Sequence, residues 1–115
     1  MSAGVLIVED EPLVAMVVEE VLRDAGIAIA GCAGSVEKAM AMLDHTLCDA
    51  AVLDVNLRGR SVEPVAVALQ SKGIPFLFMS GYGSHPLPER FSQAPVLAKP
   101  FDSQKLISAV KLILP

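Results

Sequence analysis

A chain of 115 residues can build one domain with an ordinary core, but it leaves no residues for a second domain. Its formal net charge of −4 argues against direct nucleic-acid binding, because phosphate contacts need a basic surface. No apolar run approaches the roughly 20 residues of a membrane-spanning helix, and the N-terminus lacks the basic region of a signal peptide. We therefore expect one cytoplasmic domain over residues 1–115, without direct membrane contact, that binds a cation or a protein.

Short apolar runs alternate with stretches of helical period, which is typical of βα units around a parallel sheet that is covered on both faces. Pro12 and Pro64 suit the first turn of a helix, whereas Gly26 and Gly73 are typical helix ends. In chain order, we predict a strand at 5–8, a helix from Pro12 up to Gly26, a strand at 27–30, a helix from a cap at Ser35 to Leu43, a strand at 50–53, a helix at 64–71, a strand at 76–79, a short helix at 88–92, a strand at 96–98 and a last helix capped by Asp102.

The fourth helix is predicted to be short, because the segment from Gly81 to Pro88 contains two glycines and two prolines where that helix would begin. The complete pattern predicts an α/β fold of the flavodoxin-like, doubly wound (βα)5 type. Its parallel five-stranded sheet would have the order 2-1-3-4-5, with a shortened fourth helix. In such a sheet, ligands bind beyond the carboxyl ends of the strands, in the crevice between strands one and three.

Polar residues follow four of the five predicted strands at the point where each strand ends. Glu9 and Asp10 follow the first strand, Asp54 the third, Ser80 the fourth and Lys99 the fifth. Three carboxylates brought together repel one another, so they require a compensating cation, and hard oxygen ligands suit Mg²⁺. An aspartate can attack a phosphoryl group while a metal ion, a lysine and a hydroxyl neutralise charge on its oxygens. The pattern therefore predicts a magnesium-dependent phosphoryl-transfer site.

Four short motifs carry a resemblance to the receiver domains of two-component response regulators, and the resemblance covers essentially the whole chain. The motifs occur in the order that the family shows, and their combination is more specific than any one of them. They are Leu6-Ile7-Val8-Glu9-Asp10-Glu11, Val52-Leu53-Asp54-Val55-Asn56-Leu57, Phe78-Met79-Ser80-Gly81 and Ala98-Lys99-Pro100-Phe101.

The resemblance implies that Asp54 accepts a phosphoryl group from a histidine kinase or a histidine phosphotransfer protein. It also implies that Asp10, Asp54 and the backbone carbonyl of Asn56 bind Mg²⁺, and that Glu9 assists through a metal-bound water. Phosphorylation would then change the contacts with an unidentified downstream protein. On this interpretation the domain is not an enzyme, beyond phosphorylating and dephosphorylating its own Asp54.

The same resemblance implies that Ser80 bonds the incoming phosphate and signals its arrival, and that Lys99 pairs with the phosphoryl oxygens. Val96 stands three residues before the lysine, where many receivers have a switching Tyr or Phe. Tyr82, two residues after Ser80, is a candidate for part of that signalling. The bond between Lys99 and Pro100 corresponds to a cis peptide in the family.

Two other functions remain open from the sequence alone. A receiver that has lost phosphorylation could serve as an interaction module, although all the site side chains are present. A phosphatase of the haloacid-dehalogenase type also uses an aspartate after a buried strand, but it needs a second aspartate where this chain has Asn56, and a cap domain. Without an effector domain the chain would act as a stand-alone regulator, or as part of a longer one that continues after Leu114-Pro115.

Overall fold

The computed structural model describes residues 3–81 and 87–115, which form a central sheet with helices on both of its faces. Within these ranges, no helix is both long enough and apolar enough to cross a membrane. In chain order the elements are β1 (Val5–Val8), α1 (Pro12–Asp24), β2 (Ile29–Ala33), α2 (Val36–His45), β3 (Ala50–Asp54), β4 (Asn56–Leu57), β5 (Arg60–Ser61), α3 (Glu63–Ser71), β6 (Phe76–Ser80), a 3₁₀ turn (Glu89–Phe91), β7 (Val96–Ala98) and α4 (Ser103–Ile113).

The main sheet has the order β2-β1-β3-β6-β7, and all of its strand pairs are parallel. This is the predicted order 2-1-3-4-5 of a flavodoxin-like fold, with β6 and β7 as the fourth and fifth strands. The register places Val8 beside Leu53, and Asp54 beside Met79. The carboxyl ends of β1, β3 and β6 therefore meet at one edge of the sheet, next to the point where the strand order reverses.

The core consists of two apolar layers, one on each face of the sheet. Side chains of successive strand residues point to opposite faces, so Leu6 joins the layer under α2 and α3, whereas Ile7 joins the layer under α1 and α4. Every residue of β1 and β3 is buried, as expected for central strands that are covered on both sides. These two buried strands fix the positions of the predicted acids Glu9, Asp10 and Asp54 at their carboxyl ends.

Side-chain caps define the starts of two helices, as predicted. The Ser35 hydroxyl accepts a hydrogen bond from the Lys38 amide at 3.1 Å, and an Asp102 carboxylate oxygen accepts one from the Lys105 amide at 2.8 Å. The second helix runs to His45, two residues beyond the predicted end, and the third begins one residue earlier than predicted. Differences of this size are usual, because helix ends depend on tertiary contacts.

The second strand begins at Ile29, so the predicted strand at 27–30 is wrong at its start. The amide of Ile27 donates a hydrogen bond to the Leu22 carbonyl at 2.9 Å, and Gly26 has a left-handed backbone with φ 82°. These contacts belong to a helix-ending turn, in which the apolar side chain of Ile27 is buried against the core. The apolar Ile27 is held in the core by this turn and not by a strand, and the sequence pattern alone does not distinguish the two cases.

The predicted short helix at 88–92 is confirmed in part, because the described part of this segment forms the 3₁₀ turn Glu89–Phe91 and no longer helix. The amides of Phe91 and Ser92 donate to the carbonyls three residues earlier, at 2.9 and 3.2 Å. Pro88 is the N-cap of the turn, with the non-helical backbone (ψ 138°) that is usual at this position. The fourth helix of the predicted pattern is thus reduced to a single turn within these residues.

A short antiparallel hairpin, which the sequence analysis did not predict, follows β3. Its strands β4 and β5 pair Asn56 with Ser61 and Leu57 with Arg60. The two-residue loop consists of Arg58 and Gly59, which both have positive φ (52° and 82°). This is the backbone of a type I′ turn, whose twist suits a tight hairpin. The hairpin lies directly after Asp54, and it therefore borders the predicted site.

Candidate functional site

Three carboxylates come together at the carboxyl ends of β1 and β3. Glu9 is 3% exposed and Asp54 is 7% exposed, whereas Asp10 is half-buried. One oxygen of each carboxylate lies within 4.8 Å of an oxygen of the other two. The central strands explain this convergence, because Val8 and Leu53 are direct neighbours and the acids follow them immediately.

Lys99 reaches this cluster from the end of β7. Its Nζ donates a hydrogen bond to Glu9 Oε1 at 2.6 Å and lies 3.7 Å from Asp54 Oδ2. The Lys99 amide donates to the Ser80 carbonyl at 2.8 Å, which joins the ends of the fourth and fifth strands. The family resemblance implied a pairing of Lys99 with phosphoryl oxygens, and the nearest partner of the lysine in this structure is Glu9, which was not predicted.

Backbone amides orient two of the carboxylates. The Glu11 amide donates to Glu9 Oε2 at 3.1 Å, and the Asn56 amide donates to Asp54 Oδ1 at 3.4 Å. Because Lys99 occupies the other oxygen of Glu9, both oxygens of that buried side chain are hydrogen-bonded. In the part of the chain that the structure describes, the Oδ1 atom of Asn56 is buried without a hydrogen-bond partner.

The crowding of charge changes the pKa values of two groups. Burial, together with the charge and hydrogen bonding of Glu9, raises the pKa of Asp54 to about 7, although Lys99 and the Asn56 amide oppose the change. Burial by itself would lower the pKa of Lys99, but its hydrogen bond to Glu9 and the charges of Asp54 and Glu9 raise that pKa overall. The site therefore holds more negative charge than its one buried lysine can neutralise.

This donor set fits a hard divalent cation. Carboxylate oxygens are the ligands that Mg²⁺ prefers, and it commonly uses one or two of them together with other oxygens. Glu9, Asp10 and Asp54 offer three such groups within 4.8 Å of one another. A cation bound there would also relieve the repulsion that raises the pKa of Asp54.

The remaining predicted residues occupy different positions relative to the cluster. Ser80 is half-buried at the end of β6, one residue beyond the partner of Asp54 in the sheet. Val96, at the position where many receivers have a switching Tyr or Phe, lies at the start of β7 with 48% of its surface exposed. The peptide bond between Lys99 and Pro100 is cis. Tyr82, the other suggested switch residue, lies outside the described residues.

Sequence reasoning missed Arg58 in the hairpin loop. Its Nε lies 4.0 Å from Asp10 Oδ2, at the outer rim of the carboxylate cluster. The available signal was the pair Arg58-Gly59 between two short polar-apolar segments, because glycine at the second loop position favours a two-residue hairpin. Without that hairpin, the direction of the arginine side chain could not be inferred.

Comparisons with known proteins agree with this geometry. The family model of the response regulator receiver domain matches residues 5–111. The transcriptional regulatory protein PdtaR of Mycobacterium tuberculosis is 34% identical over 112 residues, which are 94% of this chain and 55% of PdtaR. The chain therefore spans about half the length of that curated relative.

Solved structures of a single-domain size give a closer match. The solution structure of SdrG from Sphingomonas melonis Fr1 has a TM-score of 0.87 and 41% sequence identity, and the match covers 98% of both chains. The BeF₃-activated conformation of SdrG from Pseudomonas melonis Fr1 has a TM-score of 0.82 and 40% identity, covering 98% of this chain and 97% of that one. Fold, family match and relatives lead to one conclusion: this chain belongs to the response regulator receiver domains of two-component signalling.

Proposed function

We propose that Asp54 of this receiver domain accepts a phosphoryl group from the phosphohistidine of a histidine kinase or phosphotransfer protein, in the presence of Mg²⁺. The product would change the contacts of the domain with a downstream protein. One observation carries the proposal: the Asp54 carboxylate lies in an acidic cluster that offers ligands for a cation, and it is also within 4.0 Å of a lysine ammonium group.

The proposed reaction is a transfer between two nucleophiles. A carboxylate oxygen of Asp54 forms a bond to phosphorus while the bond between phosphorus and the donor imidazole nitrogen breaks. The electron pair of the broken bond stays on that nitrogen, so the donor histidine is released without any oxidation or reduction. Asp10, Asp54 and the backbone carbonyl of Asn56 would hold Mg²⁺, which supplies positive charge to the phosphoryl oxygens.

Lys99 and Ser80 supply further groups on the same edge. Because the Lys99 ammonium lies between Glu9 and Asp54, it can move from Glu9 to a phosphoryl oxygen on Asp54 by a side-chain rotation. Ser80 is at the end of the neighbouring strand, where its hydroxyl can donate to another phosphoryl oxygen. Both movements would transmit the phosphorylation state to the segment that begins at Gly81.

An apolar groove beside the site supports docking of a protein donor. The groove has a volume of about 430 Å³ and runs between α1 and the segment after β7, with Leu13, Val17 and Phe101 among its lining residues. Leu13 is 72% exposed and Val17 is 48% exposed, although both are apolar. Exposed apolar patches commonly mark protein interaction sites, and this one adjoins Lys99.

The direct test is intact-mass measurement after incubation with Mg²⁺ and acetyl phosphate, a small acyl-phosphate donor. We expect wild type to gain one phosphoryl group, and we expect Asp54→Asn and a chelated sample to gain none. Asp44→Asn is the matched control, because Asp44 is an exposed aspartate at the other end of α2 from the site, and it should behave as wild type.

A wild-type protein that gains no phosphoryl group would contradict the proposal. It would favour the phosphorylation-independent interaction module, provided that partner binding persists in Asp54→Asn. Continuous hydrolysis of excess phosphoester that depends on Asp54 would instead indicate a phosphatase.

Lys99→Ala separates phosphorylation from its consequence. The carboxylate ligands remain in this variant, so Mg²⁺ should still bind. The conformational response to phosphorylation should be lost, because no ammonium group can move to the phosphoryl oxygens. Amide chemical shifts before and after phosphorylation would measure that response, with Ser80→Ala expected to weaken it. A normal response in Lys99→Ala would remove the lysine from its proposed role.

A further inference from the structure

The two arginines of the hairpin after Asp54 have different partners. Arg60 forms an ion pair with Glu37 in the first turn of α2, whereas Arg58 approaches Asp10 in the carboxylate cluster. The hairpin backbone is held in place because Leu57 and Val62, on its two strands and their continuation, are buried. Arg58 is therefore a flexible side chain on a fixed base at the rim of the carboxylate cluster.

The cations of the site are divided among its three acids. Lys99 contacts Glu9 and Asp54, and Arg58 is the cation that contacts Asp10 within the part of the chain that the structure describes. The Lys99 side chain is 20% exposed, whereas the Arg58 side chain is 75% exposed and can turn toward solvent or toward a ligand. Its distance of 4.0 Å from Asp10 is at the outer limit of an ion pair, so the contact can be broken easily.

We propose that Arg58 exchanges partners during phosphorylation. It contacts Asp10 while the site holds no metal ion, it is displaced when a divalent cation binds Asp10, and it then binds the phosphoryl oxygens of the incoming donor. This inference rests on the proposed function. Arg58 makes and breaks no covalent bond in it, and the phosphoryl group passes to Asp54 as described above.

Electrostatics supports each step of the exchange. A divalent cation on Asp10 has the same sign of charge as the guanidinium group, so the two compete for one carboxylate. A phosphoryl group brings several anionic oxygens to the mouth of the same site. The planar guanidinium group matches such oxygens in a two-pronged geometry, which a lysine ammonium cannot reproduce.

Two measurements on the purified domain test the exchange. The first is the Mg²⁺ dissociation constant without donor, measured by isothermal titration calorimetry. The second is the initial rate of phosphorylation against acetyl phosphate concentration at saturating Mg²⁺. Arg58→Gln removes the positive charge. Arg58→Lys keeps the charge but lacks the planar guanidinium group that can donate two parallel hydrogen bonds. Arg60→Gln is the matched control, because it removes from the same hairpin a charge whose partner is Glu37 rather than a carboxylate of the cluster.

We expect Arg58→Gln to bind Mg²⁺ more tightly by about two- to fivefold, the range that an exposed ion pair supports. The same variant should need a several-fold higher acetyl phosphate concentration for half-maximal rate. Arg58→Lys should have the wild-type Mg²⁺ affinity. Its acetyl phosphate concentration for half-maximal rate should lie between those of wild type and Arg58→Gln. Arg58→Gly, which suits the left-handed backbone at this position, should reproduce both effects of Arg58→Gln.

The inference is overturned if Arg58→Gln equals Arg60→Gln in either Mg²⁺ affinity or donor dependence. In that case wild type would still be phosphorylated, and the proposed function would stand. Failure of wild type to gain a phosphoryl group would be a different result, since it would contradict the proposed function itself.

Discussion

An aromatic cluster on one face of the sheet stabilises the fold, whereas the acidic edge at the carboxyl ends of the strands destabilises it. The aromatic cluster, Phe76, Phe78 and Phe91, lies on one face of the sheet, where its rings pack at centroid distances of 5.5 to 6.2 Å. The acidic edge, Glu9, Asp10 and Asp54 with Lys99, lies at the carboxyl ends of the strands. Apolar burial stabilises the cluster, whereas burial of like charges destabilises the edge.

The difference shows how the domain combines a stable core with an edge of crowded charge. Phe91 is the buried residue of the 3₁₀ turn, so it anchors the described part of the connection between β6 and β7. The acidic edge keeps an aspartate in an environment that raises its pKa to about 7, which disfavours the ionised form. A cation bound at the acidic edge would remove that cost, so the arrangement of these acids favours ligand binding over stability of the empty fold.

The largest expected effect is in the aromatic cluster. Phe78 is fully buried, so Phe78→Ala should lower the free energy of unfolding by about 3–5 kcal/mol, through lost transfer energy and an unfilled cavity. Urea unfolding without Mg²⁺ would measure this change. Phe78→Leu is the matched control, because it retains much of the side-chain volume and should cost about 1 kcal/mol. Equal effects of the two variants would contradict a role for the ring.

Phe91→Ala tests whether the cluster holds the β6–β7 connection. Its ring is 5% exposed and contacts two other rings, but it belongs to a short turn that can relax around a cavity. We therefore expect a loss of about 2–3 kcal/mol, below that of Phe78→Ala. Hydrogen exchange at the amides of Phe91 and Ser92 should accelerate more than exchange in β1. Equal acceleration of exchange in the turn and in β1 would mean that the turn does not open independently of the rest of the domain.

Asp54→Asn should change stability in the opposite direction. Burial and Glu9 raise the pKa of Asp54 from its ordinary 3.8 to about 7 in the folded protein. The stabilisation that comes from the protonated form is therefore fully present below about pH 4 and is lost as the pH rises through 7. Without metal ion, Asp54→Asn should raise the free energy of unfolding at about pH 8 by on the order of 1–3 kcal/mol, after allowance for solvent screening.

The pH dependence makes this prediction specific. Near pH 5 the gain from Asp54→Asn should be much smaller, because wild type is then largely protonated at this group. The exposed Asp44→Asn should show no gain at either pH. A loss of stability in Asp54→Asn at about pH 8 would contradict the view that the acidic edge destabilises the fold.

Lys99→Ala should give the smallest change of the four. It removes the hydrogen bond to the buried Glu9 and leaves Glu9 and Asp54 without their nearest cation, so we expect a loss of about 1–2 kcal/mol without metal ion. Added Mg²⁺ should restore part of this loss, because it also neutralises the acids. Equal losses with and without Mg²⁺, in urea unfolding, would show that Lys99 stabilises the fold by packing rather than by charge.

Much of the acidic edge could be inferred before the structure because the relevant patterns are local. The apolar runs before Glu9, Asp54 and Lys99 indicated strands, and parallel strands of a doubly wound sheet end at a common edge. The identity of each partner could not be inferred in the same way. Whether Lys99 bonds first to Glu9 or to Asp54 depends on side-chain rotamers, and these are set by packing between distant segments.

The sequence by itself determined the alternation of strands and helices and the helix caps at Ser35 and Asp102, because periodicity and capping act over a few residues. The strand order followed from the doubly wound fold that this alternation indicates. Only the tertiary structure decided the start of β2 and the direction of Arg58. Each of these depends on contacts between segments that are far apart in sequence or on a turn that the neighbouring strands stabilise. Local propensity is too weak to specify them, since tertiary burial routinely outweighs it.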